Sequence, residues 1–234
     1  MNTTAIAAAM VSAMMHMPAA HAAPGSWLQL EMAIGGARYA AQGDNVWYQQ
    51  GMPHALRLNA PMWSLGLTGP IYRTASWGVD WHVDYVNLGN ASSDCTCTPV
   101  DANYDVASHR KLNLYDAPDA HYHGNGRAQG IALTLEPYVL YRGWRVGVEG
   151  GLFPYRPAWD EDVTGWSWTA AAPVQNVHLG TPHAVQWGKV VGASIGRGPF
   201  RVAYKHYFLP TRFTDAAPPA IWRGADVLEL KYVY

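Results

Sequence analysis

The sequence predicts an all-β fold: an antiparallel, up-and-down, eight-stranded β-barrel that crosses a membrane, with four short turns or termini at its periplasmic end and four long external loops. Three observations predict it. Apolar and polar residues alternate with period 2 in eight segments of about ten residues, the length a tilted strand needs to cross a hydrocarbon layer. Short and long connections alternate between those segments. In the third, fourth, fifth and seventh segments the charges share one parity and the bulky apolar residues the other, and a charge on the lipid face near midplane costs about 2–4 kcal/mol.

Ahead of the first strand stands MNTTAIAAAMVSAMMHMPAAHAAPGSW. Its apolar run over 5–15 is too short to span a bilayer and is followed by small residues over 19–23, the pattern of a secretory signal cut after Ala22. No Lys or Arg precedes the apolar run, so the positive charge there is the α-amino group alone. Residues 1–22 are thus expected to be a cleaved signal and residues 23–234 a single barrel domain. No mature segment reaches the roughly 18–20 uninterrupted apolar residues of a membrane-spanning helix.

The strands are expected over 27–37, 62–69, 77–88, 129–141, 144–153, 185–195, 200–209 and 222–234. The first carries Glu31 on its inner parity. The third, WGVDWHVDYV, sets Trp77, Val79, Trp81, Val83 and Tyr85 against Asp80, His82 and Asp84. In the fourth, Ile131, Leu133, Leu135 and Val139 oppose Thr134, Glu136 and Tyr138, and Pro137 removes a ladder donor, so a bulge or local break is expected there. The fifth sets Trp144, Val146, Val148 and Leu152 against Arg145 and Glu149. In the sixth, Lys189 shares the parity of Trp187 and Val191, which suggests a bulge or a change of register. The seventh sets Phe200, Val202, Tyr204 and Phe208 against Arg201, Lys205 and Tyr207. The eighth, ending LELKYVY, sets Leu228, Leu230, Tyr232 and Tyr234 against Glu229 and Lys231.

Short links fall at 72–76, at Arg142-Gly143 and at 196–199; the other four links are long and rich in Gly, Pro, Asp, Asn and His. That asymmetry is the one found in outer-membrane barrels, and an even strand number closes the sheet without an edge. The excess of Trp (11) and Tyr (14) over Phe (4) suits rings that sit where apolar meets wet. Trp27, Trp63, Trp77, Tyr85, Tyr141, Trp144, Trp187, Trp222, Tyr232 and Tyr234 are read as interfacial girdles.

With these strands and the run Leu228, Leu230, Tyr232, Tyr234, the chain resembles the small eight-stranded outer-membrane β-barrel proteins of the OmpA and OmpX type. The resemblance covers nearly all of the mature chain and is architectural. It implies an outer-membrane location, neighbours that are outer-membrane lipid and lipopolysaccharide, and recognition of the C-terminal run by the barrel-assembly machinery.

Function is less legible. A net charge of −1 gives no support to nucleic-acid binding, and an eight-stranded barrel is filled by its own side chains, which argues against a general porin. The inner parity collects Glu31, Asp80, Asp84, Glu136, Glu149 and Glu229 with Arg145, Arg201, Lys205, Lys231 and His82. Asp80-x-His82-x-Asp84 is a pattern that can orient a general base, but buried charges must be paired, so a structural network is the stronger reading. Some small outer-membrane barrels edit lipid A, and the deacylases among them use His-x-Ser with a Glu on the outer wall. Here HYHGNG at 121–126 has Gly124 and Asn125 where such a Ser is sought, and His206 has Phe208 at its +2 position.

Cys95 and Cys97, the only cysteines, fall in the second long link; a ring closed over one intervening residue is tight, so a strained local disulfide or two free thiols is the reading favoured over a metal site with His109, His121 and His123. Trp159, Trp166 and Trp168 are read as packing an external loop onto the rim rather than as a sugar platform. The expectation is a monomer with no catalytic residues, no metal ligands and no cofactor, meeting an extracellular ligand through its loops; a lipid A-modifying enzyme is the alternative.

Overall fold

Strands with one apolar and one charged face bury the charges only if the sheet curls until its edges meet. The computed structural model, which describes residues 27–41, 55–97, 104–105, 110–111, 120–166, 173–180, 184–210 and 222–234, shows that closure. Its strands are β1 (Gln29–Ala41), β2 (Ala55–Arg57), β3 (Asn59–Arg73), β4 (Trp77–Cys97), β5 (Tyr104–Asp105), β6 (Arg110–Lys111), β7 (Ala120–Tyr141), β8 (Trp144–Trp166), β9 (Gln175–Gly180), β10 (Gln186–Arg197), β11 (Phe200–Phe208) and β12 (Trp222–Val233). Eight staves pair antiparallel in the ring β1-β3-β4-β7-β8-β10-β11-β12, and β12 returns to β1 along a seam from Glu31↔Val233 to Ala41↔Trp222. The proposed signal, residues 1–22, lies outside the described residues.

Three tight turns share one end of the ring. Arg142 (φ 50°) and Gly143 (φ 80°) form a two-residue hairpin in which both central residues have positive φ, the geometry that matches strand twist. Gly198 (φ 62°) and Pro199 join β10 to β11. Between β3 and β4 the Thr74 hydroxyl donates to the Trp77 carbonyl (2.7 Å) and accepts from the Trp77 N–H (3.0 Å). The seam of β1 and β12 begins at this same end, where the Tyr234 N–H donates to the Leu30 carbonyl (2.8 Å).

At the other end the strands outrun the prediction. β4, β7 and β8 are 21, 22 and 23 residues long, so residues 91–97, 120–128 and 155–166, read as links from their polar composition, are strand. What holds them is a buried inner face: Ala91, Cys95, Ala120, Tyr122, Ala128, Tyr155, Trp159 and Val163 are all enclosed.

Three local expectations resolve. At Pro137 the β7–β8 ladder skips two pairs, from Leu135↔Gly150 to Tyr138↔Gly147, without changing register; a second gap of the same size lies opposite Pro154. β10 pairs with both neighbours in constant register, so it has no bulge at Lys189, which points outward beside Trp187 and Val191. Its place near the external end lets the ammonium reach water. Trp222 is not a girdle residue. The β1–β12 register shifts between Ala40 and Ala41, and a one-residue shift exchanges faces, so Trp222 turns inward and is fully buried.

The lumen has two storeys. Charged and hydroxyl groups fill the half nearer the tight turns. Beyond them Trp222 stacks near Tyr39 (centroids 4.7 Å) and edge-on to Trp159 (5.7 Å), while Phe153 meets Tyr155 (5.6 Å) and Tyr207 (4.9 Å). Gly89 (φ +75°), in a bulge between β4 and β7, presents its carbonyl to the Tyr39 hydroxyl (2.7 Å), which in turn accepts from the Ala128 N–H (3.1 Å).

Candidate functional site: the charged lumen and the wall above it

Alternation on eight staves brings side chains from distant sequence to one level of the lumen, and the eleven charged or imidazole residues of the inner parity meet there. His82, on β4, sits between two glutamates from different staves: Nδ1 lies 2.8 and 3.0 Å from the two Glu31 oxygens and Nε2 3.2 Å from Glu136. Its sequence neighbours Asp80 and Asp84 do not hydrogen-bond to it; they are taken up by Arg145 and Lys231 instead.

Arg145 donates to Asp80 (2.6 Å) and Glu136 (2.5 Å) and lies over the Tyr138 ring (3.3 Å to the centroid). Arg201 adds a contact to Glu136 at 3.3 Å, and the Ser194 hydroxyl donates to the same carboxylate. Lys205 lies between Glu149 (3.0 Å) and Glu229 (3.1 Å), and Lys231 between Glu31 (3.3 Å) and Asp84 (3.4 Å). Thr134 donates to Glu149 (2.7 Å), and Arg73 approaches Asp80 from the turn end (3.6 Å).

What this arrangement can do chemically is limited by its enclosure. Both ring nitrogens of His82 face carboxylates, so the imidazolium is the form that donates to both, and the residue is 2% exposed; a base must reach substrate. Glu31, His82 and Asp84 place ligand-type atoms close together, yet the Lys231 ammonium already stands between the two carboxylates as their counter-cation.

Above the charged storey, burial pushes the Glu161 carboxyl up to about 9, and the Trp159 indole N–H donates to it (3.3 Å). Cys95 is buried on the inner face of β4 and is disulfide-bonded; Cys97, two positions on, is the chain's only other cysteine. His109 and Trp168 lie outside the described residues.

On the outer wall His206 pairs with Asp226 (2.7 Å), to which Tyr204 also donates (2.7 Å). Asp226 faces His206 across the β11–β12 register; a search for a partner at i+2 on the same strand overlooks it. Among the described residues, no Ser or Thr hydroxyl bonds to either member of this pair. Leu228 and Leu230 are exposed on this wall, with Tyr232 and Tyr234 half-buried at its turn end.

No protein-family model matches the sequence, and no curated protein matches it. Solved structures do. Ail, the attachment invasion locus protein of Yersinia pestis, in complex with the heparin analogue sucrose octasulfate, is 10% identical over 88% of this chain and 97% of that one, with a TM-score of 0.34. Neisserial surface protein A is 9% identical over 89% and 98%, with a TM-score of 0.35. Likeness this loose assigns no activity; the closed ring of eight antiparallel staves stands on its own pairings.

Proposed function

We propose that the chain is an integral outer-membrane β-barrel protein whose filled interior is structural and whose external strand extensions and loops carry recognition or adhesion. One observation carries the reading: the barrel is inside-out. Every stave exposes an apolar residue on its outer face, among them Leu30, Leu65, Val83, Leu133, Val148, Val191, Val202 and Leu230, while the inner-parity charges Glu31, Asp80, Asp84, Glu136, Glu149, Arg201, Lys205, Glu229 and Lys231 are buried. A soluble barrel has the opposite arrangement. The external margin of this band carries the outward cations Arg38, Arg57, Arg127, Arg156, Lys189 and Arg223, placed to meet lipopolysaccharide phosphates. Leu228, Leu230, Tyr232 and Tyr234 are the run the barrel-assembly machinery would read, and the chain works as a monomer without a cofactor.

Recovery in the outer-membrane fraction with heat-modifiable migration is the expected result; recovery as a freely soluble periplasmic protein overturns the reading. Surface pull-downs comparing the intact chain with loop-deleted forms then identify the ligand. The outward His206–Asp226 pair is the one observation favouring a lipid A-modifying enzyme, and mass spectrometry of lipid A from expressing cells decides it: an unchanged acylation pattern removes that alternative.

A further inference from the structure

Where β4, β7, β8 and β9 continue past the apolar band, their outer faces carry a row of alternating acid and imidazole. Asp94 stands opposite His123, His123 opposite Asp162, and Asp162 opposite His178, each on the next stave. His121 lies two residues before His123 on β7, so both imidazoles project from one face. We propose that His121, His123 and Asp94 form a surface site for a divalent transition-metal ion of the zinc or copper class.

Distance and protonation both support the assignment. Two ligand atoms bound at 2.0–2.1 Å with a tetrahedral angle lie about 3.4 Å apart. Asp94 Oδ2 is 3.1 Å from His123 Nδ1 and 3.8 Å from His121 Nε2, which bracket that separation for each acid–imidazole pair. Those two nitrogens stand more than 4.8 Å from one another, so closing on one ion requires the exposed imidazoles to turn toward Asp94. Thr96, opposite His121 in the register, has its hydroxyl 3.1 Å from His121 Nδ1. If Nδ1–H donates there, the Nε2 lone pair is left facing Asp94, the outer-shell device that fixes a ligating histidine's tautomer. Two imidazoles and a carboxylate make a three-residue set that leaves a position for water.

Asp162, opposite His123 from the other side, adds negative charge next to the site. His178 is a poorer centre. Its Nδ1 is 2.8 Å from Asp162 and its Nε2 3.8 Å from Asp160, so a metal on either nitrogen gains only one of those acids. The three proposed ligands are about half exposed, which gives an ion direct access and leaves the barrel core undisturbed by their substitution.

The test uses the full folded chain in detergent micelles after chelator treatment. Equilibrium dialysis against zinc is expected to show saturable one-to-one binding, weakened about tenfold or more by His121→Ala or His123→Ala and by a similar factor in Thr96→Val. His178→Ala leaves it unchanged. With copper, electron paramagnetic resonance is expected to show two equatorial imidazole nitrogens in the parent and one in each of His121→Ala and His123→Ala. Retained heat-modifiable migration in each variant establishes that it is folded. Absence of saturable binding, or binding that survives loss of both histidines, overturns the proposal.

Discussion

Lys205 shows what the interior asks of a single residue. Its ammonium is enclosed between Glu149 and Glu229, so Lys205→Met leaves two carboxylates facing one another without a cation. Breaking a buried pair in this way costs about 3–5 kcal/mol, and guanidinium unfolding in micelles is expected to show a loss of that size. Parity placed Lys205 on the inner face but could not say which acids it meets, because pairing across the lumen depends on the stagger of staves far apart in sequence.

Glu161 makes the opposite case. Its carboxyl titrates near 4.5 when exposed and near 9 in the fold, so the native state holds the proton more tightly than the unfolded chain. Its burial is without cost below about pH 4.5, and the cost grows as pH rises toward 9, at about 1.4 kcal/mol per unit. Glu161→Gln is therefore expected to stabilise the chain at pH 8 and to change little at pH 4.5, measured as the shift in unfolding midpoint by tryptophan fluorescence. An equal shift at both pH values would show that the carboxyl is not the cause.

At the scale of elements, the membrane-crossing part of each stave was readable because lipid outside and charge inside enforce strict alternation. The extensions were not. HYHGNGRAQG looks like a loop for its glycines, yet Gly124 and Gly126 are strand positions against which the Trp159 ring packs, and a Cβ on Gly124 would collide with that ring. The glycines are there to admit the indole from β8, a reason visible only when both staves are in place. Trp222 was misassigned on the same ground: one bulge in the seam reversed its face. Gly124→Val is expected to cost about 1–3 kcal/mol by overpacking. It should make β7 and β8 susceptible to protease within 120–128 and 155–166 while the membrane-embedded part stays intact, giving a shortened but still heat-modifiable fragment on gels.

For the whole molecule, the two storeys close the lumen by different physics. Below, fixed charges pair across a bore that eight staves leave just wide enough for side chains; above, interlocked aromatic rings exclude water by packing. Each fills its own part of the bore with side chains, so a defect in one is not expected to open a path. The parent chain in planar bilayers is expected to show no steady conductance. Trp159→Ala with Trp222→Ala removes the two largest rings of the upper storey but leaves Arg145, Lys205 and Lys231 bound to their acids, and it too should remain closed. Lys205→Ala with Glu149→Ala thins the charged storey beneath an intact aromatic layer, with the same result. Only the four substitutions together are expected to give a measurable ion current. A steady current from either pair alone would show that one storey is the gate and the other merely fills space.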